Sequence, residues 1–294
     1  MKKFLALMLA ALMCVTLFVA CSPAGEGSDN ASGANLDEAA ASDANLDNAE
    51  EATPEAPETL VCGVTIFENM NEKDENGNWT GFETEFAQEV GKILGMEVEF
   101  QEIDWAQKYN ELNSGAIDCV WNGFTANSSD NGIKRSDLVD FSYGYMLNQQ
   151  CVVTKAENVD FFVTEADLAG KSACVEGGSA GAAYAESVTD ADKIFATPAQ
   201  INAFMEVKSG AVDFIVVDIL LAQNICGKGD YEDLAIVESI ELDSEIYAVG
   251  FKKGSDLTEK VNGAIKVLEE NGKLMELAEK YGFENVLKVT ENIE

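Results

Sequence analysis

The stretch Ser114-Gly115-Ala116-Ile117-Asp118 recurs 95 residues later as Ser209-Gly210-Ala211-Val212-Asp213. In each copy a helix-like segment ends at a Ser-Gly pair, and an Asp then leads into a short apolar strand. The pattern predicts two lobes of related αβ build, and the cleft between two such lobes is a natural binding place. Helix–glycine–strand transitions are common in αβ proteins, so chance recurrence is the alternative interpretation.

Strand-like and helix-like segments alternate on both sides of these copies. Leu60–Ile66 is an apolar strand pattern, and Phe82, Phe86 and Val90 follow at helical spacing. Such alternation is typical of a parallel sheet with crossover helices. Two amphipathic helical patterns close the chain, after Lys252.

The N-terminus has the layout of a secretory signal. Lys2 and Lys3 precede an apolar run that ends at Ala20, and we predict a signal peptide over residues 1–20. Leu17-Phe18-Val19-Ala20-Cys21 resembles a bacterial lipobox, in which the Cys is acylated and becomes the mature N-terminus. The expected result is a lipoprotein anchored to the outer face of the cell membrane through Cys21. An ordinary signal peptide with an incidental Cys is the alternative.

Residues 21–58 are predicted to be a tether. Ten acidic residues and no Lys or Arg occur between Ser22 and Glu58, with few large apolar side chains. Such a composition cannot bury enough surface to fold, so we expect a disordered spacer, with a weak Ala-rich helix as the alternative.

The overall composition excludes several function classes. The chain carries a net charge of −34 and contains no histidine. Phosphate binding needs basic patches, so nucleic acid is not an expected partner. The missing histidine removes Ser-His and Cys-His catalysis and most zinc sites, and we predict neither a metal nor a cofactor.

The five cysteines beyond Cys21 form no CxxC pair. Most of them stand in apolar strand-like runs, which favours buried free thiols. If one disulfide forms, Cys62–Cys119 is the expected pair, provided that their strands are neighbours.

An ordered series of motifs resembles the extracellular solute-binding proteins of the bacterial amino-acid ABC-transporter family. The resemblance runs from about Leu60 to Phe283. The motifs are Gly81-Phe82-Glu83, Trp105, Asn113-Ser114-Gly115-Ala116-Ile117-Asp118, Asn122-Gly123-Phe124-Thr125, Arg135, Asp140-Phe141-Ser142-Tyr143-Gly144-Tyr145, Asp167-Leu168-Ala169-Gly170-Lys171, Gly178-Ser179, Ser209-Gly210-Ala211-Val212-Asp213, Asp218 and Gly272.

The resemblance implies an α/β, two-lobed periplasmic-binding-protein-like (type II) fold with two hinge-crossing strands. Lobe 1 would comprise residues 59–150 and 251–294, and lobe 2 residues 151–250. Gln150–Thr154 and Ile246–Phe251 would be the crossings. The implied protein is a monomer that binds a polar amino acid in the cleft and delivers it to the permease subunits of an ABC transporter.

The resemblance also implies a binding site for each part of an amino acid. Arg135 would hold the carboxylate, because a guanidinium donates two parallel hydrogen bonds. The Gly178-Ser179-Ala180 turn would add backbone N–H donors at a helix start, or would be a plain connection. Asp218 would hold the ammonium, although it could also cap the next helix. Asn122, Gly123 and Thr125 would supply further polar contacts, and Phe67 and Trp105 would form the aromatic walls.

Two features of the sequence leave alternatives for the carboxylate ligand and for the type of amino acid bound. Residues 126–134 are an insertion before Arg135, so Lys134 is the fallback carboxylate ligand and a surface position for Arg135 is the alternative. Glu68 and Glu176 stand where they could meet a ligand side chain, which would favour a cationic or amide-bearing amino acid.

Two other functions remain as alternatives to transport. A small-acid dehydratase or lyase on the same fold would need an acid/base group in the cleft, for which Glu68 and Glu176 are the candidates. A ligand-sensing module would signal through a separate receptor.

Overall fold

The computed structural model describes residues 58–293, which contain fourteen β-strands and eight α-helices. The predicted signal peptide, the lipidation site Cys21 and nearly all of the acidic tether lie outside the described residues. Within residues 58–293, none of the helices is both long enough and apolar enough to cross a membrane.

The strands are short except for two. In chain order they are β1 Thr59–Val64, β2 Glu72–Lys73, β3 Trp79–Thr80, β4 Glu97–Glu102, β5 Cys119–Val120, β6 Ser129–Asp130, β7 Ile133–Lys134, β8 Asp140–Lys155, β9 Ala173–Glu176, β10 Ile194–Thr197, β11 Phe214–Asp218, β12 Leu234–Ile236, β13 Ser244–Phe251 and β14 Leu287–Thr290.

Helices connect the parallel strands. They are α1 Phe82–Leu94, α2 Lys108–Ser114, α3 Arg135–Leu138, α4 Ala180–Val188, α5 Gln200–Ser209, α6 Ile219–Ile225, α7 Leu257–Glu270 and α8 Lys273–Tyr281. Single 3₁₀ turns occur at Trp105–Gln107, Ala156–Phe161, Glu165–Leu168, Ala191–Lys193 and Gly229–Tyr231.

Two long strands join the lobes of the predicted two-lobed α/β fold. The sheet order is β10-β9-β11-β8-β13-β5-β1-β4. Along β8, residues 150–153 pair with β11 of the second lobe, whereas residues 140–149 pair with β13. At the far end of β13, Gly250 and Phe251 pair with β5 of the first lobe. Strands β8 and β13 therefore run between the two lobes. The lobe boundaries at residues 150 and 250 remain a prediction.

The closing helices pack on the first lobe, as the resemblance implied. Val261 and Ile265 of α7 are buried in the same cluster as Phe86 of α1. At the end of α8, the Tyr281 hydroxyl donates to Glu85 of α1 at 2.7 Å. The two closing helices thus pack against α1 of the first lobe.

The two copies of the repeated stretch have the same local structure. Gly115 and Gly210 both end their helices in the left-handed conformation, at φ 78°. Asp118 then accepts the Val61 N–H at 2.8 Å, and Asp213 accepts the Ser172 N–H at 2.8 Å. In each lobe the Asp therefore ties the start of one strand to the backbone beside the neighbouring strand.

All five described cysteines are free. Cys62 and Cys119 face each other on the adjacent strands β1 and β5, with their Sγ atoms 3.5 Å apart. The two cysteines thus lie on neighbouring strands, as a disulfide between them requires, but they form no disulfide in this structure.

We predict that the two aspartates stabilise their lobes through the same bond. Asp118→Ala removes an acceptor from a half-buried N–H and should lower the free energy of unfolding by about 1–2 kcal/mol. Asp213 is exposed, so Asp213→Ala should cost about 0.5–1 kcal/mol. Urea unfolding checks both, with the exposed Asp137→Ala as control; equal midpoints for Asp118→Ala and Asp137→Ala would refute the assignment.

Candidate functional site

A cleft of about 550 Å³ opens between the lobes. The first lobe contributes Thr125, Asn127 and Ser128, and the second contributes one face of α4. Gln150 of β8 and Glu245 of β13 lie where the two joining strands meet the cleft. The volume is within the range of small-molecule sites.

Arg135 lies at the start of α3 and is 1% exposed, so the surface alternative for this residue is wrong. Its Nη1 donates to the Thr125 carbonyl at 3.1 Å, and its Nε donates to Asp130 at 3.0 Å. Nη2 donates to the Gly178 carbonyl of the second lobe at 3.2 Å. These bonds use three of the five guanidinium N–H groups, which leaves two donors for another acceptor.

The insertion before Arg135 is a small hairpin. Strands β6 and β7 pair across Asn131 and Gly132, both at positive φ, as a two-residue Asn-Gly turn favours. The hairpin returns the chain so that the Arg135 N–H donates to the Ser128 carbonyl at 3.0 Å. The insertion thus leaves Arg135 in contact with Thr125, which lines the cleft, and adds the Asp130 carboxylate beside it. Lys134, the fallback ligand, is exposed.

Lys108 is a second buried cation, 1% exposed, on the first lobe. Its Nζ donates to the Gly178 carbonyl at 2.8 Å and lies 3.7 Å from Asp130. It also lies 4.6 Å from the centroid of the Tyr109 ring. Burial, with repulsion from Arg135 next, lowers the pKa of Lys108 to about 8. Two cations of one lobe therefore converge on a single carbonyl of the other.

Asp218 ends β11 and is 3% exposed. Its Oδ1 accepts from Asn148 and Gln150, each at 2.6 Å, and its Oδ2 accepts from Gln200. The side chain makes no capping bond to α6, so Asp218 does not act as a side-chain helix cap. Burial raises the pKa of this carboxyl above its ordinary value.

Two further carboxyl groups are buried near Asp218. Glu245 accepts from Asn148 at 2.7 Å and from Gln150 at 3.0 Å, so the same two amides serve both carboxyl groups. Burial, and then the charge of Asp218, raise the pKa of Glu245 to about 7 and that of Glu176 to about 8. Within residues 58–293, Glu176 Oε1 has no hydrogen-bond partner. Three buried carboxyl groups thus lie on this side of the site, and each binds a proton more readily than an exposed carboxyl group does.

The polar residues predicted on either side of the cleft have distinct roles. Thr125 lines the cleft and donates its hydroxyl to Glu245 at 3.2 Å. Ser179 caps α4, because its Oγ accepts the Ala182 N–H at 3.0 Å. Ala180 lines the cleft, and Gly178 supplies the carbonyl that receives Arg135 and Lys108.

The other predicted residues build the wall behind these groups. Asn122 and Thr65 exchange two hydrogen bonds, of 2.7 and 3.0 Å. The backbone of Gly123, at φ +54°, lies against the rings of Phe67 and Tyr247, and a Cβ there would approach both within 3.2 Å.

The two predicted aromatic residues are almost fully buried. Phe67 is 2% exposed and Trp105 is 3% exposed, with the Trp105 ring edge-on to Phe124. Glu68 lies on a turn beside Phe67 and is not among the residues that line the cleft.

Several site residues escaped the sequence reasoning. Lys108 stands in a helix among polar residues, and Glu245 opens a strand, so neither position differs in pattern from a solvated one. Gln150 and Asn148 alternate along β8, which could have marked them as facing one side. Asp130 lies in the insertion, where the family pattern gives no guide.

We predict that the buried Lys108 makes stability depend on pH. Its pKa is lower in the folded than in the unfolded chain, so the bound proton destabilises the folded state and its loss relieves that cost. The free energy of unfolding of the wild type, relative to Lys108→Met, should rise by about 2 kcal/mol from pH 7.5 to pH 9.5. Denaturant unfolding at both pH values tests this, and a difference that stays constant would contradict it.

Known proteins are similar to this chain in sequence and, for those with solved structures, in fold. The L-cystine-binding protein TcyA of Bacillus subtilis (strain 168) is 30% identical over 95% of this chain and 98% of its own. The arginine-binding extracellular protein ArtP of the same organism is 26% identical over 96% and 98%. The structure of an ancestral arginine-binding protein bound to glutamine superposes with a TM-score of 0.70, at 32% identity over 77% of this chain and 98% of that one.

The family-level match covers both lobes and the strands that join them. Residues 60–285 match the family described as bacterial extracellular solute-binding proteins, family 3. That range begins in β1 and ends just beyond α8, so it contains every residue of the site described above. The chain is therefore a member of the bacterial extracellular solute-binding proteins of family 3.

Proposed function

We propose that this protein is an extracellular receptor that binds a polar amino acid between its lobes and delivers it to an ABC permease. The observation that carries the proposal is that one buried arginine and one buried aspartate each adjoin a residue that lines the cleft. Arg135 donates to the Thr125 carbonyl, and Asp218 accepts from Gln150. An α-amino acid carries one carboxylate and one ammonium, and these two side chains are the matching partners. Relatives named for binding arginine and cystine support the class of ligand.

Arg135 is our proposed carboxylate anchor. Its two N–H groups without a described partner suit the planar fork of a carboxylate. Asp130 and the Thr125 carbonyl hold the guanidinium in place, so little rotamer freedom would be lost on binding.

Asp218 is our proposed ammonium anchor, together with the Thr125 hydroxyl. Burial raises the pKa of Asp218, whereas a ligand ammonium beside it would favour the ionised carboxylate. Ligand binding would therefore stabilise the charged form of Asp218. The amides of Asn148, Gln150 and Gln200 keep it oriented.

Closure of the lobes around the ligand would produce the form that the permease recognises. Lys108 and Arg135 of the first lobe bond to the Gly178 carbonyl of the second, and the backbone N–H of Trp105 donates to the Pro198 carbonyl at 3.3 Å. A ligand that adds contacts to both lobes shifts the population toward this closed form, and the permease would recognise the closed shape.

Catalysis forms no part of the proposal. The raised pKa of Glu176 is the feature that an acid/base enzyme would need, but burial and the charge of Asp218 account for it. Receptor function requires only binding and closure, and we propose a monomer that acts in this way.

Calorimetric titration with the twenty amino acids should identify at least one ligand. Arg135→Met should weaken its binding about 100-fold or more, because the ligand carboxylate loses two charge-assisted bonds. Asp218→Asn should weaken it comparably by removing the ammonium partner.

The neighbouring Lys134→Met provides the matched control, since that side chain is exposed and should leave affinity within two-fold. Unchanged binding in both Arg135→Met and Asp218→Asn would show that the ligand is held elsewhere.

We propose further that Cys21 anchors the receptor to the outer face of the membrane. Cys21→Ala should move the protein from the membrane fraction to the soluble extracytoplasmic fraction while leaving ligand affinity unchanged, because all of the proposed ligand-binding residues lie within residues 60–285. Fractionation with immunodetection measures this; membrane association that persists in the variant would contradict acylation at Cys21.

A further inference from the structure

Glu83 is a buried carboxyl group that the proposed binding mechanism does not use. It is the second residue of α1 and is fully buried. Its Oε1 accepts the Gly123 N–H at 2.8 Å and also accepts from the Tyr145 hydroxyl of β8. Its Oε2 accepts from the Asn71 amide at 2.6 Å. Three other segments of the chain therefore meet at this one carboxyl group.

The three hydrogen bonds that the Glu83 carboxyl makes to described residues are all donated to it. Gly123 is a backbone donor, and the Asn71 amide is oriented because its Nδ2 also donates to the Trp121 carbonyl at 3.1 Å. The Tyr145 hydroxyl is able to accept instead, but within the described part of the chain its own hydrogen has no acceptor other than Glu83. Protonation of Glu83 would add a hydrogen for which no acceptor is spare, so the network fits the ionised carboxylate.

The bond from Gly123 connects Glu83 to the candidate site. Gly123 adopts φ +54°, and its backbone lies against two aromatic rings of the wall. Two residues later, Thr125 lines the cleft, and its carbonyl accepts from Arg135 at 3.1 Å. Glu83 therefore holds the backbone of residues 122–125, from which the proposed first-lobe contacts to the ligand extend.

Among the described residues, the titratable groups that face the Glu83 carboxyl from the strands carry no positive charge. They are Tyr145 on β8, Tyr247 on β13 and Asp218 at the end of β11, and Cys119 on β5 interacts with Tyr145. Burial raises the pKa of Glu83 to about 7, and the charge of Asp218 adds to the rise, while the three hydrogen bonds oppose it. This carboxyl group therefore changes its charge close to neutral pH.

The two closing helices also pack against α1, but their charged groups pair elsewhere. Lys280 of α8 pairs with Glu85 at 2.6 Å, and Lys273 pairs with Glu276 at 2.9 Å. The α7 residues that share the core cluster with α1 are apolar. Hydrogen-bond donors rather than a cation therefore stabilise the charge of Glu83.

We propose that Glu83 is a positioning residue whose ionised carboxylate holds residues 122–125 in the geometry that binds an amino acid, so that protonation of Glu83 weakens binding. The inference rests on the proposed function and adds a pH dependence to it. A proton on the carboxylate would turn one acceptor into a donor and displace one of its three neighbours. Strain on the Gly123 bond would shift Thr125 and the carbonyl that fixes Arg135.

Stability and binding should respond to pH in opposite directions, which separates a positioning role from a purely structural one. The pKa of Glu83 rises from an ordinary value of 4.5 to about 7, so the folded chain binds this proton more readily than the unfolded chain. The contribution of Glu83 to stability should therefore fall as pH rises through that range. Its contribution to affinity should instead rise between pH 6 and pH 8, because the carboxylate forms there.

Glu83→Gln imitates the protonated acid, since its amide presents a donor in place of one acceptor. Calorimetry with the amino acid that binds most tightly among the twenty should show this variant about 10-fold weaker than the wild type at pH 8 and within about two-fold at pH 6. Glu89→Gln is the matched control on the same helix, because its carboxyl pairs with the exposed Lys92. An equal advantage of the wild type at both pH values would overturn the inference.

Tyr145→Phe provides a second variant that decides the matter if Glu83→Gln fails to fold. It keeps the ring and removes one donor whose bond lowers the pKa of Glu83. The midpoint of the pH dependence of affinity should therefore move up by about one pH unit. A midpoint equal to that of the wild type would show that this carboxylate does not control binding.

The Gly123 amide gives a readout that needs no ligand. In protein labelled with ¹⁵N-glycine, the Gly123 amide proton resonance should titrate with a midpoint near neutral pH, and Glu83→Gln should abolish that titration. A Gly123 resonance that is constant from pH 6 to pH 8 would overturn the inference even if amino acids bind. Failure of all twenty amino acids to bind would instead refute the proposed function, so the two failures are distinguishable.

Discussion

Charge buried between the two lobes is the constraint on which the rest of the site depends. Lys108 and Arg135 are each 1% exposed, and Asp218 and Glu176 are 3% and 2% exposed. Removing such groups from water is costly unless partners meet them. The Gly178 carbonyl and the amides of β8 are partners from elements far away in sequence, whereas the Asp130 hairpin directly precedes Arg135. In this arrangement, protein groups rather than water provide hydrogen bonds to the buried charged side chains.

The two joining strands make that arrangement possible. Asn148 and Gln150 alternate along β8 so that both amides face Asp218 at the end of β11 and Glu245 at the start of β13. The polar floor of the cleft thus belongs to the elements that connect the lobes. In the proposed mechanism, a ligand charge at that floor would act directly on the strands about which the lobes move, and ligand binding would thereby be coupled to closure.

Local and family patterns predicted much of this structure. The repeated Ser-Gly-Ala-x-Asp stretch correctly indicated two helix-to-strand transitions, because the Gly conformation and the Asp bond both arise within a few residues. The position of Arg135 was left open by the insertion, and only the three-dimensional path of the hairpin resolves it. Lys108 and Glu245 could not be predicted, since their burial depends on contacts between distant segments that no local pattern encodes. Asp130 could not be predicted because it lies in the insertion, for which the family pattern gives no guide.

The most direct test of the account is a crystal structure of residues 58–293 with the tightest-binding amino acid. We predict that the ligand carboxylate accepts hydrogen bonds from the Arg135 guanidinium and that the ligand ammonium contacts Asp218 within hydrogen-bonding distance. The lobes should be closed, with Lys108 still bonded to the Gly178 carbonyl. A ligand bound away from Arg135 and Asp218, or a closed complex in which Arg135 contacts only protein atoms, would contradict the account.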